Sequence, residues 1–288
     1  MTYSKKYKLG GNLDVNRIGF GAMRITNKDN SGMPDNPQNS IDILKRAVEL
    51  GVNFIDTADQ YGMFASEILI GDALYPYNTG LVIATKGGLV RFGPSNSPVR
   101  HINNDATPQH LHEALNGSSS RLKIETIDLY QLHRIDPNVP ADITFKFLAK
   151  AQKDGRVMHL GLSEVSVEDI KQAQKHFKVV SVQNRYSVSN RMWESVLEYC
   201  EEQNIAFIPF LPMGGGKEMQ GEAVLQKVAL RHNATMRQIA LSWLLHRSDN
   251  ILLIPGTSSI AHLEENMAAG DIQLFNEDMH ELNAISGK

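Results

Sequence analysis

Cysteine is almost missing from this chain, with Cys200 the only one among 288 residues. One thiol can close no internal disulfide and build no cysteine metal cluster, and such scarcity favours a reducing compartment. An excess of either charge is missing too. Twenty-nine Lys and Arg face 32 Asp and Glu, and the net charge of -3 with a pI near 6.4 gives no electrostatic reason to expect nucleic acid as a partner. No apolar run approaches the length that crosses a bilayer, so no membrane partner is expected. The start, "MTYSKKYKLGGNLDV", is basic but lacks the apolar stretch of a signal peptide. These absences together predict a cytoplasmic protein.

What is present is apolar matter in regular instalments. Hydrophobic residues make up 42% of the chain and charged residues 21%, enough for a large globular core. A hairpin is expected over 5–17, with "GGN" at its turn. Short apolar runs then recur at 18–23, 52–56, 81–86, 127–132, 157–161, 179–183, 206–210 and 251–254. Near-continuous hydrophobic runs are the pattern of parallel strands covered by helices. Between them lie helix signals. Asn36 and Pro37 read as an N-cap and first helical residue, followed by an apolar face of Ile41, Leu44, Ala47 and Val48 and closed by Gly51. Thr107-Pro108 repeats that start, Ser166 with Asp169 resembles a capping box, and Gly155 ends another helix. Met192, Trp193 and Leu197 read as packing residues.

Eight strand-helix repeats predict an α/β protein, a (β/α)8 TIM barrel with an N-terminal β-hairpin, forming one domain over residues 1–288. A doubly wound open sheet would alternate similarly. The stretch 87–106, rich in Gly, Pro and Asn, is long for an idle connection and suggests a lid or substrate-facing loop.

Side chains at the C-terminal strand ends of such a barrel surround one cavity. The segment "FIDTADQYG" places Asp56, Asp59 and Tyr61 at one such end, "VIATK" puts Lys86 at the next, and His133 follows the fourth run. Any one of these is more often an ordinary turn or core residue. An Asp, a Tyr, a Lys and a His converging together are harder to explain as chance. They divide the labour of carbonyl reduction. Lys86 would lower the Tyr61 pKa from about 10, Asp56 would hold Lys86 charged, and His133 would orient a substrate oxygen towards Tyr61.

The segments "GFGAM", "FIDTADQYG", "VIATKGG", "DLYQLHRID", "GLSE", "VQNRYS", "PFLPMGGG" and "LIPGTSSIAHLEEN" resemble, in order, the aldo-keto reductases, and within them the bacterial YdbC-like and pyridoxal-reductase-like branch. The resemblance implies NADPH bound without a Rossmann domain and a catalytic tetrad of Asp56, Tyr61, Lys86 and His133, with Tyr61 the proton donor to an aldehyde or ketone. It places Gly21, Ala22, Met23 and Asp56 along the cofactor, Ser163 and Gln183 on the nicotinamide carboxamide, and Phe210 on its ring. Leu211, Pro212, Met213 and Gly214 line the pyrophosphate side. Thr257, Ser258, Ser259, His262, Glu265 and Asn266 surround the adenosine and its 2′-phosphate, where exposed helix-start amides attract anions. Arg24, Arg91 and Phe92 are candidate substrate contacts.

Three positions depart from the family pattern. Glu164 stands where Asn is usual, which implies either a different nicotinamide contact or a protonated Glu164. Gly256 and His262 replace a Lys and an Arg, leaving NADH as an alternative to NADPH. Phe210 replaces a Tyr and still stacks. A G-x-G-x-x-G fingerprint fails at Arg24, "GGGK" lacks the spacing of a P-loop, and His110 with His112 finds no third ligand, so no metal is expected. Two other readings stay open: a barrel aldolase using Lys86 as a Schiff-base amine, and a cofactor-binding regulatory or redox-sensing subunit with little turnover.

Overall fold

Parallel pairing dominates the computed structural model, which describes residues 4–92, 101–212 and 221–286. The chain begins with the expected antiparallel hairpin, β1 (Lys6–Leu9) and β2 (Leu13–Asn16). Gly10 and Gly11 turn it at φ values of 64° and 96°, the left-handed region that glycine enters without a Cβ penalty. The parallel strands are β3 (Phe20–Gly21), β4 (Phe54–Asp56), β5 (Val82–Gly87), β8 (Ile127–Leu132), β9 (Val157–Ser163), β10 (Val179–Gln183) and β11 (Ala206–Phe207). They pair in the order β11-β10-β9-β8-β5-β4-β3. A separate antiparallel pair, β6 (Leu89–Phe92) and β7 (His101–Asn104), occupies the stretch expected to be an irregular loop.

Residues 250–253 close the barrel between β11 and β3. Phe207 N donates to Asn250 O at 2.8 Å and Leu252 N to Phe207 O at 2.9 Å. On the other side Leu253 N donates to Arg17 O and Gly19 N to Leu253 O, both at 2.8 Å. The run expected over 251–254 therefore works as the eighth strand through isolated bridges, Phe207 to Ile251 and Ile18 to Leu253. The architecture is a (β/α)8 barrel. Two runs are shorter than expected. Residues 22–25 coil into a 3-10 turn, so Ala22 and Met23 leave the first strand. Pro209 has no N–H for the ladder, so β11 stops early, and the pairing continues through Ile208 N to Val182 O, Phe210 N to Asn184 O and Tyr186 N to Phe210 O.

The described helices are α1 (Pro37–Glu49), α2 (Ala65–Leu74), α3 (Pro108–Leu122), α4 (Ala141–Lys153), α5 (Val167–Ala173), α6 (Glu194–Gln203), α7 (Glu222–Arg231), α8 (Met236–Arg247), α9 (Ile260–Ala268) and α10 (Asn276–Asn283). Asn36 and Thr107 cap α1 and α3 with proline at the first helical position, and Ser166 with Asp169 forms the capping box of α5. The buried face of α1 is centred on Ser40, Ile43, Leu44 and Ala47, with Ile41 and Val48 only half-buried at its flanks. Met192 is exposed rather than packed, because α6 begins two residues after it, while Leu197 is buried.

The hairpin plugs the N-terminal end of the barrel. Leu9 and Val15 pack with Phe54, Val82, Leu129, Val180, Ala206 and Leu252, inward-facing residues of successive strands. With that end filled by apolar side chains, the polar strand ends gather at the opposite mouth.

Candidate active site

Lys86 is the penultimate residue of β5, and its side chain is fully buried. A buried ammonium needs acceptors, and it has three. Nζ donates to Asp56 Oδ1 at 2.6 Å, to Thr57 O at 2.8 Å and to Tyr61 Oη at 3.5 Å. Asp56 ends β4, and its other carboxylate oxygen accepts from Gln131 Nε2 of β8 at 3.1 Å and Gln183 Nε2 of β10 at 2.9 Å. Ser181 Oγ in turn donates to Gln131 Oε1 at 3.2 Å. Tyr61 lies on the turn before α2, half-buried, with its ring edge-on to His133 at 5.9 Å between centroids. The four residues expected to converge do so, although they come from separated stretches of chain.

Burial pushes the Tyr61 phenol above its usual value, and the neighbouring Lys86 ammonium only partly offsets this. The expected lowering is therefore overturned, because removal from water disfavours the phenolate more than one ammonium favours it. Burial pulls Lys86 down most strongly of any single effect, but the Asp56 and Tyr61 charges and the hydrogen bonds to both together outweigh it, and Lys86 ends above its ordinary range. Such an amine is charged and hydrogen-bonded, which argues against a Schiff-base nucleophile. Burial, then Lys86 and Arg134, hold His133 well below the usual imidazole range. Its ring is neutral at pH 7, and Nδ1 has no partner.

The residues expected near a nicotinamide line the same mouth. Ser163 ends β9 and accepts from Arg134 Nη1 at 2.9 Å, leaving its own hydrogen to donate. Gln183 has spent an amide hydrogen on Asp56, so its Oε1 remains as acceptor. One donor and one acceptor match the two ends of a carboxamide. Phe210 is half-buried, and the Arg185 guanidinium lies 5.9 Å from its ring centroid. Glu164 and Leu211 both have φ of 53°, a strained region for such residues, and one where Asn is more readily accommodated. The Glu164 carboxylate accepts from Arg185 N at 2.8 Å, which ties its Oε1 to the backbone.

Gly21 and Gly256 meet where β3 ends. A Cβ on Gly21 would come within 2.5 Å of Ile254 O, and one on Gly256 within 2.4 Å of Gly21 O. Beyond this seam, Ser259 caps α9, Thr257 is buried, and Ser258 and His262 are exposed. Asn266 is also buried, and its Oδ1 has no partner. An orphaned acceptor one turn from open helix-start amides fits a ligand with both a donor and an anionic group, as an adenosine phosphate has. Glu265 is anchored to the start of α8. Its carboxylate accepts from Thr235 Oγ1 at 2.6 Å and its backbone from Gln238. Ala22, Met23 and Arg24 sit on the 3-10 turn, with Arg24 exposed. Leu211 and Pro212 follow β11, whereas Met213 and Gly214 lie outside the described residues. Arg91 and Phe92 end β6.

Three residues of the site escaped sequence reasoning as functional candidates. Gln131 is an ordinary strand residue until its amide is seen on Asp56. Asp59 was visible in "FIDTADQYG", but its desolvation was not. It is 3% exposed, its Oδ1 has no partner, and burial followed by the nearby Glu67 charge pushes its carboxyl up to about 8. Arg134 looks like a loop cation in sequence, yet it is half-buried beside His133 and Ser163. Among the described residues, no group of three His, Cys, Asp or Glu is placed to hold a metal ion.

The profile of the aldo/keto reductase family matches residues 17–286. An uncharacterized oxidoreductase of Schizosaccharomyces pombe is 49% identical over 267 residues, covering 93% of this chain and 85% of the relative. The pyridoxine 4-dehydrogenase of Escherichia coli is 38% identical over 282 residues, with 96% of each chain covered. Among solved structures, a thermostable aldo-keto reductase in complex with the inhibitor epalrestat superposes with a TM-score of 0.84 at 25% identity, over 99% of this chain and 100% of that one. The holo form of an aldo-keto reductase from Bacillus halodurans gives 0.80 at 25% identity, over 98% and 96%.

Proposed function

The chain belongs to the aldo/keto reductase family, and on that premise we propose that it reduces an aldehyde or ketone to an alcohol with NADPH, using Tyr61 as proton donor. The observation that carries this reading is the Tyr61 hydroxyl 3.5 Å from a buried, charge-paired Lys86, with a neutral His133 alongside.

The residues divide the work as follows. A bound reduced nicotinamide supplies hydride to the carbonyl carbon. Ser163 as donor and Gln183 Oε1 as acceptor support its carboxamide. His133, neutral and with a free ring nitrogen, orients the carbonyl oxygen without adding a charge that would repel Lys86. Tyr61 then gives its proton to that oxygen, completing the alcohol. The phenolate left behind is met by the Lys86 ammonium, which Asp56 holds in place, and is reprotonated from solvent. Asp56 is itself fixed by two amides, so the charge relay has little freedom to reorganise.

The finer substrate reading is an aromatic aldehyde of the pyridoxal type, supported by end-to-end similarity to a pyridoxine 4-dehydrogenase. The test follows loss of reduced-nicotinamide absorbance with NADPH and, separately, NADH against aldehydes, ketones and pyridoxal. Turnover of aldehydes with NADPH, pyridoxal among the better ones, is expected. No turnover of any carbonyl with either cofactor would overturn the proposal.

A further inference from the structure

Arg134 stands at the catalytic mouth without a counter-ion. Nη1 donates to His133 O at 2.5 Å and to Ser163 Oγ at 2.9 Å, and the remaining guanidinium nitrogens have no protein partner among the described residues. No carboxylate lies within ion-pair distance of it among those residues, in contrast to Arg121, Arg231 and Arg247, which each hold one or more. Arg134 is also half-buried, so water screens its charge only in part. None of its spare nitrogens is among the buried unpartnered atoms, so they reach solvent and stand open to an anion arriving in their fork of donors.

The charges around it leave that role open. Glu164 is the nearest acidic influence, but one carboxylate oxygen is already engaged by Arg185 N. Arg185 is a second cation close enough to disfavour the Arg134 charge slightly, and burial lowers Arg134's proton affinity more than Glu164 restores it. The two contacts that Arg134 does make are to the carbonyl of His133 and the hydroxyl of Ser163, one on the proposed substrate side and one on the proposed nicotinamide side. Its unused nitrogens are thus held near the substrate carbonyl by fixed neighbours rather than by a flexible stem alone.

We infer that Arg134 recognises an anionic oxygen on the substrate, so that the preferred carbonyl compounds carry a carboxylate or a phosphate in addition to the carbonyl. This rests on the reductase reading and adds a specificity determinant to it. Arg134 acts on where the substrate sits, while Tyr61 handles the proton.

Matched pairs test it. Benzaldehyde is compared with 4-carboxybenzaldehyde, and pyridoxal with pyridoxal 5′-phosphate, in the parent and in Arg134→Gln and Arg134→Lys. The expected result is a KM at least about tenfold lower for the charged member of one pair, with the pair concerned separating carboxylate from phosphate. That ratio collapses in Arg134→Gln, is partly retained in Arg134→Lys, and shrinks with added salt. Equal KM values in both parent pairs, or a ratio unchanged in Arg134→Gln, would overturn the inference while leaving the reductase reading intact. If no carbonyl is turned over, calorimetric titration with benzoate and with inorganic phosphate, with and without NADP+, decides the matter. Binding of one anion to the parent, weakened at least about tenfold in Arg134→Gln, supports the site, and equal or absent binding overturns it.

Discussion

The Lys86 ammonium lies 2.6 Å from the Asp56 carboxylate, with both side chains almost completely shielded from solvent. A pair in that position is costly to break from one side, since the survivor is left as an uncompensated buried charge. Lys86→Met should destabilise the protein by about 3–5 kcal/mol. In Lys86→Met combined with Asp56→Asn, a large part of that loss should be recovered, because no lone charge remains. Urea denaturation of the parent, both single variants and the double variant checks the coupling. Additive losses would mean that the pair is not coupled as its geometry indicates.

Asp59 provides a pH signature of the opposite sense from an ordinary carboxylate. Its folded pKa is raised to about 8 by burial, first of all, and by Glu67. Between the usual carboxylate range and about 8, the folded protein keeps a proton that the unfolded chain has released. Stability attributable to this residue is therefore highest at low pH and falls as pH rises through that window, levelling off above it. Asp59→Asn should flatten the slope and gain on the order of 2–4 kcal/mol over the parent above that window. Denaturation midpoints at about pH 5 and about pH 9 measure this. A parent whose stability rises across that interval, with no relative gain in the variant, would contradict the account.

Arg17 fastens the seam of the barrel. It is 1% exposed and donates from Nε to Ile251 O at 2.9 Å and from Nη2 to Leu245 O at 3.1 Å and to Ser248 O, with Nη1 on Ser4 O and Asp249. Arg17→Ala strands several of these carbonyls beside a closure made of isolated bridges. A loss of about 3–5 kcal/mol is expected. Thermal unfolding should show a clear fall in Tm, and a change within 1–2 °C would count against a structural role at the seam.

How much of this was legible in sequence follows from where each signal resides. The runs that became β4, β5, β8, β9 and β10 are continuous and apolar because helices cover them, and local composition records that. Asn36, Thr107 and Ser166 announced their helices because a cap is satisfied within four residues. The eighth strand shows in the sequence as an apolar run, but its pairing depends on Arg17 and Phe207, far away in the chain, and only contacts reveal that it bridges without a full ladder. The Tyr61 pKa is set by two competing effects, burial raising it and the Lys86 charge lowering it. The charge of Lys86 can be read from sequence, whereas the extent of desolvation cannot. The same holds for Asp59 and Arg134, whose residue types are ordinary and whose surroundings make them unusual. The β6–β7 pair was hidden by the Gly, Pro and Asn content of its stretch, which signals turns as readily as an irregular loop.

The most direct measurement is single-turnover reduction of an aldehyde by Tyr61→Phe, with NADPH affinity determined separately by fluorescence. Removing the hydroxyl that lies 3.5 Å from Lys86 should slow hydride transfer by about 10²–10⁴ while the cofactor dissociation constant stays within about threefold of the parent. With the phenol pKa raised in the folded protein, the parent rate should also hold steady from neutral pH into the alkaline range. A Phe variant that reduces the aldehyde at the parent rate would show that the proton comes from elsewhere.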